Sequence, residues 1–230
     1  MPTKRGSVHS TVTEDYLKAI ADAEEWGASG ISVGELAERM HVRASTASEN
    51  VTRLVDLGLV NHRPYQLVHL TDQGRSQALN MVRRHRILET YLYQCLDVDW
   101  GQVHQEAEVL EHAISDTLLE RMDRALGHPT RDPHGHPIPA ADGTWTVPPT
   151  RRLVEVEAGD SYTIARINDG DPAVLRALET YRLLPDQEIA VIAVNSGSVC
   201  VSVTGQPVTL TPEQAGSIFV HLSAIDDVSS

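Results

Sequence analysis

Four side chains that can bind a metal lie close together in the stretch HQEAEVLEH, residues 104–112. On a helix turning about 100° per residue, with His104 taken as zero, Glu108 falls near 40°, Glu111 near −20° and His112 near 80°. The apolar residues of the same stretch fall on an adjacent face, so the polar stripe borders a buried surface. Carboxylates and imidazoles crowded beside an apolar wall repel or desolvate one another unless a cation lies among them. The spacing therefore favours a metal site over an ordinary solvated helix edge.

A second pair of possible ligands, His85 and Glu89, stands four residues apart on one face of a helix predicted for residues 71–95. Taken alone, a His–Glu pair at this spacing is usually an incidental surface contact. The two helices together, however, carry six residues that could ligate a cation. That number argues for metal binding rather than coincidence.

The composition is that of a globular protein. Of the 230 residues, 41% are hydrophobic, which suits two modest domains or three small ones. The start of the chain has no apolar stretch of signal-peptide type, and the longest apolar run, residues 189–194, is too short to span a bilayer. We therefore expect a cytoplasmic protein without a membrane segment. Cys95 and Cys200 form neither a disulfide framework nor a CxxC zinc site.

Charge is distributed unevenly along the chain. The net charge of −13 argues against a protein that coats nucleic acid indiscriminately. Residues 1–75 nevertheless carry only −2 of it, against −5 for residues 76–150 and −6 for residues 151–230. The N-terminal third is thus the part of the chain whose charge permits a DNA-binding surface.

The same N-terminal third has the pattern of a winged helix-turn-helix. Helices are predicted for residues 13–26 and 32–40, the second with Ser32 as N-cap and Glu35 three residues later. Residues 41–58 give a short turn and a third helix. The inner side of that helix is expected to carry Val51, Leu54, Val55 and Leu57. Two short strands around Arg63-Pro64-Tyr65 follow as a wing.

Small polar side chains crowd the first turns of the third helix. Such groups at the front of the second helix of a helix-turn-helix enter the major groove of DNA. We expect base contacts from Ser45, Ser48, Glu49 and Asn50. Phosphate contacts are expected from Arg43, Thr46, Arg53 and the wing residue Arg63. Because an ordinary capped helix can also begin with Ser and Thr, the prediction depends on the whole order of elements.

The second half of the chain changes from helical to strand patterns. One helix is predicted from Gly101 to Leu126, followed by a Pro/Gly-rich linker over residues 127–149. The histidines of the linker, His128, His134 and His136, are interpreted as turn residues and left out of the metal set. From Leu153 onward, short alternating strands with tight turns at NSGS and TGQP predict a small SH3-like β-barrel, with one helix over residues 172–181.

Over essentially its whole length the chain resembles the diphtheria toxin repressor family of metal-dependent transcriptional regulators. The resemblance rests on TEDYL near the start, RASTASENV, VRRHRILE and VHQEAEVLEHAISD, in that order. It implies a mainly α fold with a C-terminal β-barrel. Residues 1–75 would form a winged helix-turn-helix DNA-binding domain, residues 76–145 a helical dimerisation and metal-binding domain, and residues 151–230 an SH3-like domain.

The resemblance also implies what the protein binds and which genes it controls. The expected partner is double-stranded operator DNA, bound by a homodimer, with no membrane, no small-molecule substrate and no enzymatic activity. Metal would fix the winged helix, which otherwise swings about a junction near residues 71–80, so that two recognition helices sit at half-site spacing. The genes controlled would be those of metal uptake.

Two metal sites in each subunit are implied by the same resemblance. The primary site matches Asp15, Glu108, Glu111 and His112. The second matches His85, Glu89 and His104, and iron-type members complete it with an acid and an amide from the barrel. Asp169 is the best candidate for that acid, with Asp171 as the substitute.

Departures from the family pattern indicate which metal is bound. Iron-type members have methionine and cysteine where this chain has Asp15 and Glu108, as the manganese regulators do. Hard oxygen ligands with one imidazole suit Mn²⁺, so Mn²⁺ is expected, with Fe²⁺ as the alternative. Short manganese regulators have a glutamate where this chain has Lys18. Because a protonated ammonium cannot ligate a metal, a closely spaced binuclear cluster of that kind is not expected.

Two other classes of protein compete with this interpretation. A di-iron carboxylate enzyme needs Glu-x-x-His pairs on four helices, whereas Glu108 and Glu111 form a Glu-x-x-Glu pair. A metal-independent winged-helix protein would show no ligand-dependent change in DNA affinity. Hydrolases have no support, because the chain has no His-Glu-x-x-His, P-loop or Gly-x-Ser-x-Gly motif.

Overall fold

The computed structural model describes residues 10–195 and 197–223. The chain separates into two compact units, and the boundary lies between Arg84 and His85. The first unit comprises the chain up to Arg84 together with Pro139–Trp145, and the second comprises His85–Ile138 and the chain from Thr146 onward. The division into three domains stays a prediction. In the described ranges, no helix combines the length and apolar character needed to cross a bilayer.

The first unit contains the predicted helix-turn-helix and wing. Its elements are α1 (Thr11–Glu25), α2 (Val33–Arg39), α3 (Ala44–Asp56), β1 (Val60–Asn61), β2 (His69–Leu70) and the first half of α4 (Asp72–Leu96). The Ser32 hydroxyl accepts from the Glu35 amide while the Glu35 carboxylate accepts from the Ser32 amide, so the predicted capping box starts α2. In the wing, β1 and β2 pair antiparallel with Val60 opposite Leu70.

One face of α3 packs into the core of this unit. Ala47, Val51 and Leu54, at positions i, i+4 and i+7, are buried against residues of α1 such as Tyr16 and Leu17. Two residues predicted for the inner side, Val55 and Leu57, are instead 38% and 44% exposed. At about 100° per residue they lie near 80° and −80° from Ala47, at the two borders of the buried stripe.

Two helices of the second unit replace the single helix predicted from Gly101 to Leu126. The structure has α5 (Val103–Leu110) and α6 (Asp116–Ala125) instead. The Ser115 hydroxyl accepts from the Leu118 amide and starts α6 as an N-cap. A serine followed by an acidic residue favours a new helix start over continuation of the previous helix. The apolar periodicity on which the single-helix prediction rests does not show this preference. The rest of α4, by contrast, ends at Leu96, one residue beyond the prediction.

The C-terminal part of the second unit is an open antiparallel sheet, so the predicted closed barrel is wrong. Its strands are β3 (Arg151–Arg152), β4 (Ser161–Ile167), β5 (Glu188–Asn195), β6 (Ser198–Val203), β7 (Gln206–Leu210) and β8 (Ile218–Leu222). They pair in the order β3-β8-β4-β5-β6-β7, with β3 and β7 as the two edges. Strand periodicity predicts β4 to β8, but closure of the sheet would depend on pairing between its two edge strands, β3 and β7, which do not pair.

The predicted TGQP turn joins β6 to β7, with both Thr204 and Gly205 at positive φ, as a type I′ hairpin turn requires. Alternate residues of β6, Val199, Val201 and Val203, are buried, as the period-two pattern predicts. The helix α7 (Pro172–Thr180) and the short α8 (Pro212–Ser217) cover this core.

The segment predicted as a linker, residues 127–149, is in part a packed element of the second unit. Asp132 and residues 134–138 are buried, and the Ile167 amide of β4 donates to the carbonyl of His134. Gly135 has φ +89, and a Cβ added there would lie 2.3 Å from the carbonyl oxygen of Ala165. Only glycine allows this close approach of two backbones.

Candidate metal centre and nucleic-acid face

Four predicted second-site ligands meet in the second unit. The Nε2 of His85 lies 2.9 Å from Oε1 of Glu89 and 3.0 Å from Nδ1 of His104. That same Nδ1 lies 3.2 Å from both Oε1 of Glu89 and Oδ2 of Asp169. We refer to His85, Glu89, His104 and Asp169 as the second-site cluster. It combines two helices with the segment between β4 and α7.

The second-site cluster holds opposite charges close together in a buried setting, and these charges shift the pKa values of its members. Burial alone would lower the pKa of His104, but the carboxylates of Asp169 and Glu89 outweigh it and raise the pKa to about 11. Burial likewise disfavours ionised carboxylates. The charge on His85 nevertheless holds the pKa of Glu89 well below its usual range, and His104 and His136 do the same for Asp169.

The donor geometry fits a small divalent cation. Neighbouring ligands around an octahedral ion at ~2.1 Å are separated by roughly 3 Å. Contacts of 2.9 to 3.2 Å link the four donor atoms of the cluster, and all four lie within 4.8 Å of one another. The second oxygen of Glu89, Oε2, is buried and has no hydrogen-bond partner among the described residues. A buried carboxylate oxygen of this kind is costly unless a cation satisfies it.

His134 is a further donor that the sequence interpretation left out. Its Nε2 lies 3.1 Å from the carbonyl oxygen of Trp100. Because a carbonyl only accepts, Nε2 carries the hydrogen, so Nδ1 is the ring nitrogen that could offer a lone pair to a metal. This Nδ1 is buried without a hydrogen-bond partner in the described ranges, 3.7 Å from Asp169 Oδ2 and 4.0 Å from Glu89 Oε1. Its position and tautomer are those of a metal ligand held by a backbone acceptor.

Asp132 holds the loop that presents His134. Its Oδ1 accepts from the amides of His134 and His136, at 2.8 and 3.0 Å, and its Oδ2 lies 3.1 Å from Nδ1 of His136. Arg86 Nε is 3.6 Å from the same Oδ2. Against the effect of burial, the carboxylates of Asp132 and Asp169 raise the pKa of His136 to about 8.

A sequence signal for this loop exists. In an extended chain, alternate residues share a side, and DPHGHP offers Asp132, His134 and His136 at alternate positions. The third histidine of the segment, His128, is a mostly exposed surface residue paired with Asp123 at 2.8 Å.

The predicted primary-site residues are divided between the two units. Glu108, Glu111 and His112 lie in the second unit, at the end of α5 and in the turn that follows, while Asp15 lies half-buried on α1 of the first unit. Within the second unit, Glu111 is fully buried and Glu108 is half-exposed. The Nε2 of His112 lies 3.5 Å from Oε1 of Glu111. The grouping of all four as one site stays a prediction.

Asp169 rather than Asp171 is the acid that meets the cluster. The side chain of Asp171 is the N-cap of α7, accepting from the amides of Ala173 and Val174. That role uses the carboxylate locally and explains why the substitute ligand does not reach the cluster.

The predicted DNA-binding side chains share the outer face of α3 and the wing. Those exposed are Arg43, Ser45, Thr46, Ser48, Glu49, Arg53 and Arg63. Asn50 is half-buried, and its amide is engaged within the unit. It donates to the carbonyl of Thr46 at 3.1 Å and accepts from Arg53 at 3.1 Å. A base contact by Asn50 would have to replace these bonds.

Comparison with known proteins identifies the family. Residues 9–68 match the iron-dependent repressor N-terminal DNA-binding domain, residues 71–140 the iron-dependent repressor metal-binding and dimerisation domain, and residues 151–222 the FeoA domain. The iron-dependent repressor IdeR of Mycobacterium tuberculosis is 30% identical over 226 residues, covering 91% of this chain and 96% of that protein. The chain belongs to the iron-dependent repressor family.

Another repressor and two solved structures are similar to this chain over most of its length. The diphtheria toxin repressor of Corynebacterium glutamicum is 29% identical over 219 residues, covering 91% of this chain and 95% of that protein. A solved manganese-dependent transcriptional repressor in complex with manganese is 46% identical, with a TM-score of 0.88, covering 92% of this chain and all of that one. The manganese regulator SloR is 31% identical, with a TM-score of 0.77, covering 92% of this chain and 98% of that one.

The predicted resemblance is therefore confirmed, and so is the predicted class of function. The protein is a metal-dependent transcriptional repressor of the iron-dependent repressor family, with a DNA-binding part, a dimerisation part and a C-terminal FeoA sheet.

Proposed function

We propose that this repressor responds to manganese and controls genes of metal uptake. The observation that carries the proposal is the chemistry of the donors. In the described residues, every group that could hold a metal consists of carboxylate oxygens and imidazole nitrogens, without a cysteine. Hard donors suit Mn²⁺, which is selected by ligand type and geometry rather than by raw affinity. The similarity to a solved manganese-dependent transcriptional repressor and to the manganese regulator SloR supports the same choice.

Two ions per subunit are proposed. The primary site would take Asp15 from the first unit and Glu108, Glu111 and His112 from the second. The second site would take His85, Glu89, His104 and Asp169, joined by His134. Bound Mn²⁺ would supply positive charge to buried carboxylates that otherwise depend on histidines for compensation.

Metal would control DNA affinity because ligands of the primary site come from both units. Ligands that must converge restrict the orientation of the DNA-binding unit, and a dimer then presents two α3 helices at half-site spacing. If the competent arrangement were about 1% populated without metal, fixing it would raise apparent DNA affinity roughly 100-fold. The exposed residues Ser45, Ser48 and Glu49 would face base edges, and Arg43, Thr46, Arg53 and Arg63 would contact phosphates.

The test is DNA binding titrated separately with Mn²⁺, Fe²⁺ and Zn²⁺ under anaerobic conditions, on a fragment selected from a random pool by the metal-loaded protein. We expect no specific protein–DNA complex in chelator. With Mn²⁺, DNA binding should be half-maximal at a metal concentration available in cells. A protein–DNA complex that forms equally well in chelator would overturn the proposal that DNA binding depends on metal. It would favour a metal-independent winged-helix protein. A response to Fe²⁺ alone would make the protein an iron-dependent regulator.

A further inference from the structure

The tip of the wing contains a residue in a conformation that its side chain disfavours. The amide of Gln66 donates to the carbonyl of Arg63 at 3.0 Å, which closes a four-residue turn with Pro64 and Tyr65 at its centre. Tyr65 has φ +64. Because proline fixes φ near −65°, a turn with Pro64 first and a positive φ second is of type II. Glycine or asparagine is the usual residue at the second central position.

The other positive-φ residues have readier explanations. His41, Asp97 and Arg182 directly follow helix ends and His128 lies in the turn after α6, where left-handed residues commonly terminate a helix. Thr204 belongs to the β6–β7 hairpin turn, and Asp186 follows Pro185 in a similar turn, but aspartate is a small polar residue that tolerates this conformation. For a bulky residue inside a turn, a positive φ is an outlier. Strain that persists at an exposed position is a reason to look for function.

Burial cannot explain why a tyrosine stands there. Its side chain is 106% exposed, so folding gains no apolar area from the ring. The turn holds the ring outward on a backbone that proline stiffens, and a tyrosine side chain has only two rotatable bonds to order on contact. The ring is therefore pre-positioned for a partner outside the unit.

The charge around the ring indicates which partner this is. Residues 59–71 contain Arg63, His62 and His69 but no aspartate or glutamate, in a chain whose net charge is −13. A tip without acidic groups suits DNA, whose backbone is uniformly negative. If α3 lies in the major groove, the wing that follows it along the chain can reach a neighbouring minor groove, which is about 6 Å wide. Apolar side chains enter the minor groove as wedges between base steps.

We propose that Tyr65 is a minor-groove contact that helps to determine operator specificity, with Arg63 beside it on the DNA backbone. This inference rests on the proposed function, because it requires a specific complex with DNA. It assigns to the wing a role in reading groove shape, in addition to the phosphate contact expected of Arg63.

The experiment compares methylation protection by the manganese-loaded protein on a selected operator fragment. Dimethyl sulfate modifies adenine N3 in the minor groove and guanine N7 in the major groove, so one reagent reports on both. We expect wild type and Tyr65→Phe to protect both positions. Tyr65→Gly should lose adenine N3 protection beside each half-site, keep guanine N7 protection, and bind about tenfold more weakly with an unchanged salt slope.

Two further measurements make the result decisive. Because glycine accepts the positive φ, Tyr65→Gly should unfold at the same temperature as wild type or roughly 2–4 °C higher, which excludes misfolding as the cause. The matched control Arg63→Ala should keep adenine N3 protection while its salt slope falls by about 1. Adenine N3 protection that is absent in wild type, or that persists in Tyr65→Gly, overturns the proposal. Failure of the wild type to bind any fragment with Mn²⁺ would instead overturn the proposed function.

Discussion

The Nδ1 atom of His85 lies 2.6 Å from Oε2 of Glu111, and this contact joins a member of the second-site cluster to a residue predicted for the primary site. Both side chains are buried. The other ring nitrogen of His85 faces Glu89 at 2.9 Å. The ring of His85 thus contacts two carboxylates that we assign to different metal sites. Such a hydrogen bond fixes the orientation of a carboxylate that binds a metal.

We expect His85→Ala to weaken metal-activated DNA binding without abolishing it, whereas His112→Ala should abolish it, because His112 is predicted for the primary site. His85→Ala should also destabilise the metal-free protein by about 1.5–3 kcal/mol, the usual contribution of a hydrogen bond to a charged group. Urea unfolding in chelator measures the second effect and gel shifts with Mn²⁺ the first. Equal loss of DNA binding in both variants would mean that the two sets of ligands act as one cluster.

The second site should release a proton when it binds metal at neutral pH. The pKa of His104 is raised from 6.5 to about 11 by Asp169 and Glu89, so the ring is protonated below that value and must lose its proton to ligate. Metal affinity at this site should therefore rise close to tenfold per pH unit from 6.5 to 8.5. Calorimetry in two buffers of different protonation enthalpy counts the protons. A site whose affinity is constant above pH 7 would contradict the raised pKa.

The same pKa shift should make the metal-free protein less stable as pH rises, whereas metal affinity increases. Because the folded-state pKa of His104 lies above its unfolded value, the ion pairs stabilise the metal-free protein fully below about pH 6.5. That contribution is lost as pH rises towards 11. Metal-free protein should accordingly unfold at lower urea concentration at pH 9.5 than at pH 7. The variant His104→Gln should show a smaller difference between the two pH values.

Removing His134 should weaken the second site selectively. The Nδ1 lone pair of His134 faces Asp169 and Glu89, so His134→Ala removes a donor and leaves the primary-site residues in place. We expect a 10- to 100-fold loss of affinity in the weaker of two Mn²⁺ binding steps, on the scale of supporting residues at metal sites. The matched control is His128→Ala, a mostly exposed histidine of the same segment that pairs with Asp123. If both variants bind two ions as wild type does, His134 is not a ligand.

Metal choice should depend on two carboxylates. Replacing them together, Asp15→Met with Glu108→Cys, exchanges hard oxygen for soft sulfur donors, which favour later metals of the Irving–Williams order. The response of DNA binding to Mn²⁺ should fall far more than the response to Fe²⁺ or Co²⁺, with the dimer unchanged in size. Anaerobic titrations of both proteins with each metal measure this. An unchanged ratio of Mn²⁺ to Fe²⁺ response would place selectivity elsewhere.

Local patterns predicted the helix-turn-helix, the wing and α4, because caps, apolar periodicity and turn residues act within a few positions. The break between α5 and α6 was missed because Ser115 starts a helix inside a continuous apolar pattern. His134 was missed for a different reason. The alternation of Asp132, His134 and His136 is visible in the sequence, but the contact that fixes the tautomer of His134 is with the carbonyl of Trp100, 34 residues away.

The open sheet leaves two strands whose outer backbone groups could pair with another chain, and each edge has its own protection. The edge strand β3 is only two residues long, and both are exposed arginines, Arg151 and Arg152. The other edge, β7, contains Pro207, which lacks an amide hydrogen and cannot extend a ladder. Short length, charge and proline are the devices that keep sheet edges from templating aggregation. The sheet can therefore remain open without offering an edge on which other chains would readily aggregate.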